Sequence, residues 1–271
     1  LIYCWRGGQR SRAMAIVLRE IGWNAKILKG GYKEYRRHVR EQIKVLSSKL
    51  KFRVICGATG AGKSKLLRKL RQCNMQVLDL EEIANHRGSV LGWIPNNPQP
   101  SQKMFESRLL YLMRKFDPEK VVFTESESKK IGEIQLPDSL IAKMWQSSCI
   151  LLKTEKKARI KLLRSEYKNL IKRPETLKAS IEPLAKNQGK KIYEKWLELI
   201  KDQDWTSFVD ELLTVHYDPS YQKSINKHYE HLSEGFVLNI SDTSTETFTK
   251  LAESIAQTSS VTETIPQKNI L

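Results

Sequence analysis

Residues 57–64 read Gly57-Ala58-Thr59-Gly60-Ala61-Gly62-Lys63-Ser64, which fits G-x-x-x-x-G-K-[ST] at every fixed position. Such a loop works only where a buried strand feeds it and a helix leaves it. Both are written in the chain: Phe52 to Cys56 is a mostly apolar run of strand length, and Leu66, Leu67 and Leu70 follow at helical spacing. Glycines let successive N–H groups turn inward around an anion. The helix N-terminus adds a partial positive charge and Lys63 a full one. The Ser64 hydroxyl can sit on a magnesium ion. The motif specifies a diphosphate-bearing ligand without saying which.

The rest of the pattern predicts an α/β fold: a P-loop-type parallel sheet flanked by helices, because strands and helices alternate. Strands are expected at 76–80, 120–124, 149–153 and 235–240, and helices at 103–116, 138–145 and 244–256. Asp79, at the end of its strand, either reaches a metal or substrate or caps the next helix. His86 and Arg87, just before Gly88, form a second anion clamp or an ordinary loop. The Pro/Asn-rich stretch 92–101 is a long loop of the kind that often carries function. Beyond the strand ending at Thr124 comes Glu125-Ser126-Glu127-Ser128, where a metal-orienting or general-base carboxylate is expected; Glu125 is preferred to Glu127. Residues 154–232 read as a helical insertion, with helices at 155–173, 176–187, 189–201 and 204–215. A polar-aromatic turn, His216 to Tyr221, follows and could present stacking groups to a base. From Gln257 the chain is Ser/Thr-rich and reads as a disordered tail, 257–271.

Charge narrows the partners. There are 47 Lys and Arg against 30 acids, a formal charge of +17, which suggests a polyanion. Residues 1–50 hold 12 basic residues against 3 acids, and residues 153–173 hold 9 against 2; a phosphate backbone lying across both would explain the imbalance. The four cysteines, Cys4, Cys56, Cys73 and Cys149, stand far apart, against a zinc site or a disulfide framework and in favour of a reducing cytoplasm. No apolar stretch is long enough to cross a membrane. The chain opens on neither a methionine nor a signal peptide and reads as a fragment.

Near the start, residues 1–3 read as the end of a buried strand and a helix is expected at 11–21. Between them lies Cys4-Trp5-Arg6-Gly7-Gly8-Gln9-Arg10-Ser11. A helix N-terminus and the flanking Arg6 and Arg10 favour a thiolate at Cys4. Gly7 and Gly8 let the loop fold so that its N–H groups face the sulfur, a cradle suited to a persulfide-like anion. Residues 33–50 read as a connecting helix.

The Cys4–Ser11 stretch resembles the active-site loop of rhodanese domains, and Gly30-Gly31-Tyr32 resembles the segment that ends them, so residues 1–32 are read as the C-terminal part of such a domain and 51–256 as a P-loop domain. With Asn85-His86-Arg87-Gly88-Ser89, Gln99-Pro100-Ser101-Gln102, Glu125 to Gly132 and His216-Tyr217-Asp218-Pro219, the set resembles the bacterial tRNA 2-selenouridine synthase family up to about residue 256. The resemblance implies action on wobble-position 2-thiouridine of tRNA, in the cytoplasm, with neither DNA nor membrane as partner. It implies S-geranylation by geranyl diphosphate, then replacement of the geranylated sulfur by selenium from selenophosphate. Cys4 would be the nucleophile that handles selenium or sulfur, with Arg6, Gly7, Gly8 and Arg10 shaping its anion loop. Gly57, Ala58, Thr59, Gly60, Ala61, Gly62, Lys63 and Ser64 would hold the diphosphate. No tightly bound cofactor is expected, and Mg2+ is the candidate cation. The alternative is a P-loop ATPase or kinase acting on RNA or a small molecule, with Cys4 as a remnant.

Overall fold

The computed structural model describes residues 1–229 and 235–259. Its centre is a five-stranded, wholly parallel sheet in the order β2-β3-β1-β6-β7. The strands are β1 (Lys51–Gly57), β2 (Gln76–Leu78), β3 (Val121–Glu125), β6 (Ser148–Thr154) and β7 (Phe236–Ile240). Between β3 and β6 runs a small antiparallel hairpin of β4 (Lys130–Ile131) and β5 (Ile134–Gln135), which the sequence pattern did not reveal.

The apolar run of β1 is nearly continuous because both faces of the sheet are covered. Side chains alternate across a strand, so Val54 and Cys56 join one core and Ile55 the other. The first core takes α2 (Gly31–Lys49), α5 (Gln102–Met113) and α6 (Asp138–Trp145); the second takes α3 (Lys63–Gln72) and α13 (Thr245–Ser259). Val54 and Ile55 are wholly buried, each contributing about 1.5–3 kcal/mol relative to exposure. The helix at 33–50 does more than connect, since its Val39 and Ile43 sit in the first core with Phe105 and Leu109.

Two short helices complete the set outside the insertion: α1 (Gln9–Glu20) near the start and α4 (Leu80–Ala84) after β2. Between β6 and β7 lie α7 (Lys156–Glu166), α8 (Lys168–Ile171), α9 (Pro174–Gln188), α10 (Lys190–Lys201) and α11 (Trp205–Leu212). A π-helical segment, Leu213–Tyr217, then leads into α12 (Asp218–His228). These helices have their own core around Trp196, Ile181 and Phe208.

Several boundaries differ from the sequence reading. Ile2 makes a single parallel bridge to Ile27 in place of a buried strand, and Leu1 and Tyr3 are exposed. Strand β2 stops at Leu78, because the Asp79 carboxylate accepts from the Glu82 N–H and caps α4. The single helix expected at 155–173 is broken at Tyr167, whose hydroxyl lies 3.0 Å from Ser89 Oγ. The turn expected at His216–Tyr221 is helical throughout: the π-helical segment runs directly into α12, with Pro219 in the first turn of α12. Residues 257–259 close α13, and the rest of the expected tail lies outside the described residues.

Candidate functional site

In a doubly wound parallel sheet, ligands bind beyond the carboxyl ends of the strands, where the strand order reverses. Strand β1 sits at that point, between β3 and β6. Its loop, 57–62, is braced from three sides. The Ala61 carbonyl accepts from Thr154 Oγ1 at 2.9 Å and the Thr59 carbonyl from Arg159 Nε at 2.9 Å. Gly62 has φ 92°, and a Cβ there would lie 2.2 Å from Phe248 Cζ. Only glycine allows this approach. Lys63 Nζ donates to the Gly57 carbonyl at 2.7 Å, and Ser64 Oγ donates to Glu81 Oε2 at 2.6 Å. A diphosphate would take over the lysine's bond.

The loop opens into a cavity of about 580 Å3. Around it meet residues far apart in the chain: Lys63 and Ser64, Asp79, His86 and Arg87, Glu127, and His216 and Tyr217. Arg87 lies 4.9 Å above the Tyr167 ring. Burial lowers the pKa of His86 and of His216, so both favour the neutral ring; His86 Nδ1 has no hydrogen-bond partner. Of the sequence candidates, Asp79, His86 and Arg87 therefore line the cavity, with Asp79 also serving as a cap.

The acidic side of the cavity has a definite order. Glu125 lies in β3, wholly buried, and does not line the cavity. Its Oε1 accepts from the Glu81 N–H at 2.8 Å. Burial, with Asp79, Glu81 and Glu127 nearby, pushes its carboxyl well above the usual range. Glu127 faces the cavity; burial and the Glu81 carboxylate raise it to about 8, against the pull of Lys63. Burial raises Asp79 to about 6. A magnesium ion carried by a diphosphate would find the Ser64 hydroxyl and Glu81 as its nearest fitting groups. Among the described residues no three acidic, His or Cys side chains surround a ready-made cation site.

Sequence reasoning missed Glu81, Arg159 and Tyr167, and it preferred Glu125 where, of the two, Glu127 is the carboxylate that lines the cavity. Glu127 lies two residues beyond Glu125, past the end of the strand, and the position of that end decides which of them reaches the cavity. In the sequence Arg159 counts among the basic residues of 153–173 offered to a phosphate backbone. It is buried, and it pairs with Asp218 while holding Thr59. The motif Gln99-Pro100-Ser101-Gln102 turns out to be scaffold. Gln99 ties Ala84, Ile131 and Glu133 together, Ser101 caps α5, and Gln102 bonds Gln135.

Cys4 stands apart and contributes nothing to the cavity wall. It is half-buried, with Ser11 Oγ 3.3 Å from its sulfur. The Ser11 hydroxyl, then the N–H groups of Ser11, Gly8 and Arg6, hold the thiol at about 6, down from 9.0. The guanidinium groups of Arg6 and Arg10 are exposed and are not among the causes. Gly7 and Gly31 pack backbone to backbone: a Cβ on Gly31 would lie 2.2 Å from the Cys4 carbonyl oxygen. The Cys4 and Trp5 carbonyls accept the N–H groups of Tyr32 and Lys33, in the first turn of α2. Lys103 of α5 sits 5.2 Å over Trp5 and 5.9 Å over Tyr32, and Arg36 of α2 pairs with Glu106 of α5. The cysteine loop is thus docked on the helix that packs under the sheet.

The basic residues of 1–50 lie on the surface, apart from Arg36. Among the described residues no helix is long and apolar enough to cross a membrane.

Comparison with known proteins gives the family. Residues 50–199 match the family described as the tRNA 2-selenouridine synthase AAA domain. The tRNA 2-selenouridine synthase of Marinobacter nauticus is 30% identical, over 83% of this chain and 68% of that protein. The one from Sulfurovum sp. is 31% identical over 84% and 68%. The one from Alcanivorax borkumensis is 35% identical over 61% and 45%.

Proposed function

This chain belongs to the tRNA 2-selenouridine synthase family, and from that premise we propose that it serves tRNA selenouridine formation in two steps at two anion sites. The observation that carries the reading is the cavity of about 580 Å3 in which Lys63 and Ser64 meet Arg87, His86 and Glu127. In the first step the loop 57–64 holds the diphosphate of geranyl diphosphate. The thiocarbonyl sulfur of 2-thiouridine attacks C1 of the geranyl group, the C–O bond breaks and diphosphate leaves. Negative charge grows on the leaving oxygen, where Lys63, the loop N–H groups and Arg87 are gathered. Glu127, raised to about 8, still carries a proton at neutral pH that it can give to the leaving group.

In the second step the selenium of selenophosphate bonds to C2 of the base, the C–S bond breaks so that geranylthiol leaves, and water takes the phosphoryl group as phosphate when the P–Se bond breaks; Cys4 and its loop are the site that handles the selenium anion. The exposed cations of residues 1–50 bind the tRNA backbone. A cytoplasmic enzyme fits these substrates.

Nucleoside mass analysis after incubation with thiolated tRNA, geranyl diphosphate and selenophosphate tests the scheme. Lys63→Ala should abolish the geranylated nucleoside while tRNA binding persists. Unchanged geranylation in that variant would refute the loop assignment. ATP hydrolysis that survives Cys4→Ser would instead favour a nucleotide in the loop.

A further inference from the structure

A second cavity, of about 590 Å3, adjoins the first. His86, Gly88, Ser89, Val90, Ile94 and Ser128 border both, so the two spaces meet along the loop after α4. Of these six, His86 is the only one whose side chain exchanges a proton near neutral pH. Trp93 and Pro98 offer the second cavity flat apolar faces, and Asn97 and Lys130 offer it polar ends. That mixture suits an unstacked base, which needs a face to lie on and groups along its edge.

The imidazole is held in place. The His86 N–H donates to the Glu81 carbonyl at 3.0 Å, and His86 pairs with Trp93 in a single antiparallel bridge. A Cβ on Gly92 would lie 2.9 Å from its Cε1, and one on Gly132 would lie 3.0 Å from its Cδ2. Both carbons flank Nε2, so two backbones without side chains leave that edge of the ring clear. Nδ1 has no hydrogen-bond partner. Burial favours the neutral ring, in which one nitrogen keeps a lone pair to accept with. Other acceptors are committed or misplaced. Glu127, raised to about 8, holds its proton at neutral pH. Glu81 accepts from Ser64 Oγ, and Asp79 caps α4. His216 Nδ1 lies 3.5 Å from the Gln188 amide nitrogen. Glu166 borders only the first cavity and Glu133 only the second.

Alkylation of a thiocarbonyl that is bonded to an N–H does not end at the sulfur. The sulfur lone pair forms the S–C1 bond, and the C1–O pair leaves with diphosphate. The base then stays neutral only if N3 releases its proton and the N–H electrons form the C2–N3 double bond. We propose that His86 is the general base that accepts this proton, from a 2-thiouracil ring seated in the second cavity while the diphosphate occupies the first. The inference rests on the geranylation reading above. It adds the group that takes the N3 proton and the side from which the base enters. The proton passes to the unprotonated ring nitrogen and from there to water; the products are the S-geranylated base, diphosphate and one proton.

Single-turnover geranylation of thiolated tRNA by the full chain, read by nucleoside mass analysis, tests this. His86→Gln should slow geranylation about a hundredfold or more, the usual worth of a general base. Its pyrophosphate affinity should stay close to that of the unaltered chain, which reports that the loop is still folded. His86→Ala should be slow as well and should recover part of the rate when imidazole is added, as a residue that only shapes the wall would not. Geranylation undiminished in either variant would overturn the assignment and leave the loop standing. A loss in His86→Ala that imidazole leaves untouched would make the ring a positioning group and overturn it too. If the unaltered chain bound pyrophosphate but formed no geranylated nucleoside, the geranylation reading would fail and the proposal with it.

Discussion

Arg159 and Asp218, 59 residues apart, form a two-bond ion pair, Nη1 to Oδ2 at 3.1 Å and Nη2 to Oδ1 at 2.5 Å. The same guanidinium uses its Nε to hold the Thr59 carbonyl in the phosphate loop. One side chain therefore couples α7, the start of α12 and the loop. Arg159→Gln should lower unfolding free energy by about 1.5–3 kcal/mol, the worth of hydrogen bonds to a charged group. Pyrophosphate affinity should fall as well. Denaturant unfolding and pyrophosphate titration check both, and a variant unchanged in both would mean the strap does not position the loop.

Gly62→Ala should damage the loop. It meets Phe248 at a positive φ, and strain of this kind costs about 1–3 kcal/mol. Phe248→Leu in the same chain should recover part of the loss. Gly8→Ala is the contrast, since nothing lies within 4 Å of a Cβ there, and its melting temperature should stay close to that of the unaltered chain. Equal losses in the two single variants would contradict this account.

Cys4 should alkylate as a thiolate down to mild acidity. With its pKa lowered to about 6, iodoacetamide labelling should be nearly constant above pH 7 and fall about tenfold per pH unit below 6. Ser11→Ala removes the largest cause of the shift, so its midpoint should move up. A midpoint that stays put would assign the shift elsewhere.

Glu127 should make the protein less stable as pH rises. Its carboxyl is raised from 4.5 to about 8, so between these values the native state holds a proton that the unfolded chain has released. Stability then falls with rising pH across that window. Asp79 acts in the same direction from 3.8 to about 6. Glu127→Gln should flatten the upper part of the profile, above pH 6. An identical slope in the variant, followed by urea unfolding from pH 5 to 8.5, would rule this out.

On α2, Arg40 and Lys44 are exposed while Arg36 is buried against Glu106. Arg40→Ala and Lys44→Ala should each reduce the salt slope of tRNA binding by about 1 without changing the melting temperature. Arg36→Ala should do the reverse, lowering stability with little effect on the slope. Salt titrations of a labelled tRNA decide between these.

The motif from Gly57 to Ser64, the parallel strands around it and a loop at Cys4 that favours a thiolate were all legible in the chain. Each depends on neighbours a few residues away: an apolar run, a glycine spacing, a helix start. What could not be read was which carboxylate reaches the cavity, because that turns on where β3 stops, and Glu125 and Glu127 differ by only two positions. Nor could the break at Tyr167, since a basic run such as 155–173 has no local reason to stop being a helix. Ser89 and Arg87, about eighty residues earlier, supply that reason.

Local order along the polypeptide was enough to specify a glycine-rich turn on a parallel sheet and a cysteine loop ahead of a helix. Only the tertiary structure decided that Arg159 is a buried strap rather than a surface cation. It also decided that Gln99 is scaffold and that His86 stands where two cavities meet. The reason is physical: a glycine turn and a helix cap are built from bonds between near neighbours. Burial of a charge and the walls of a cavity depend on which distant segments the folded chain brings together.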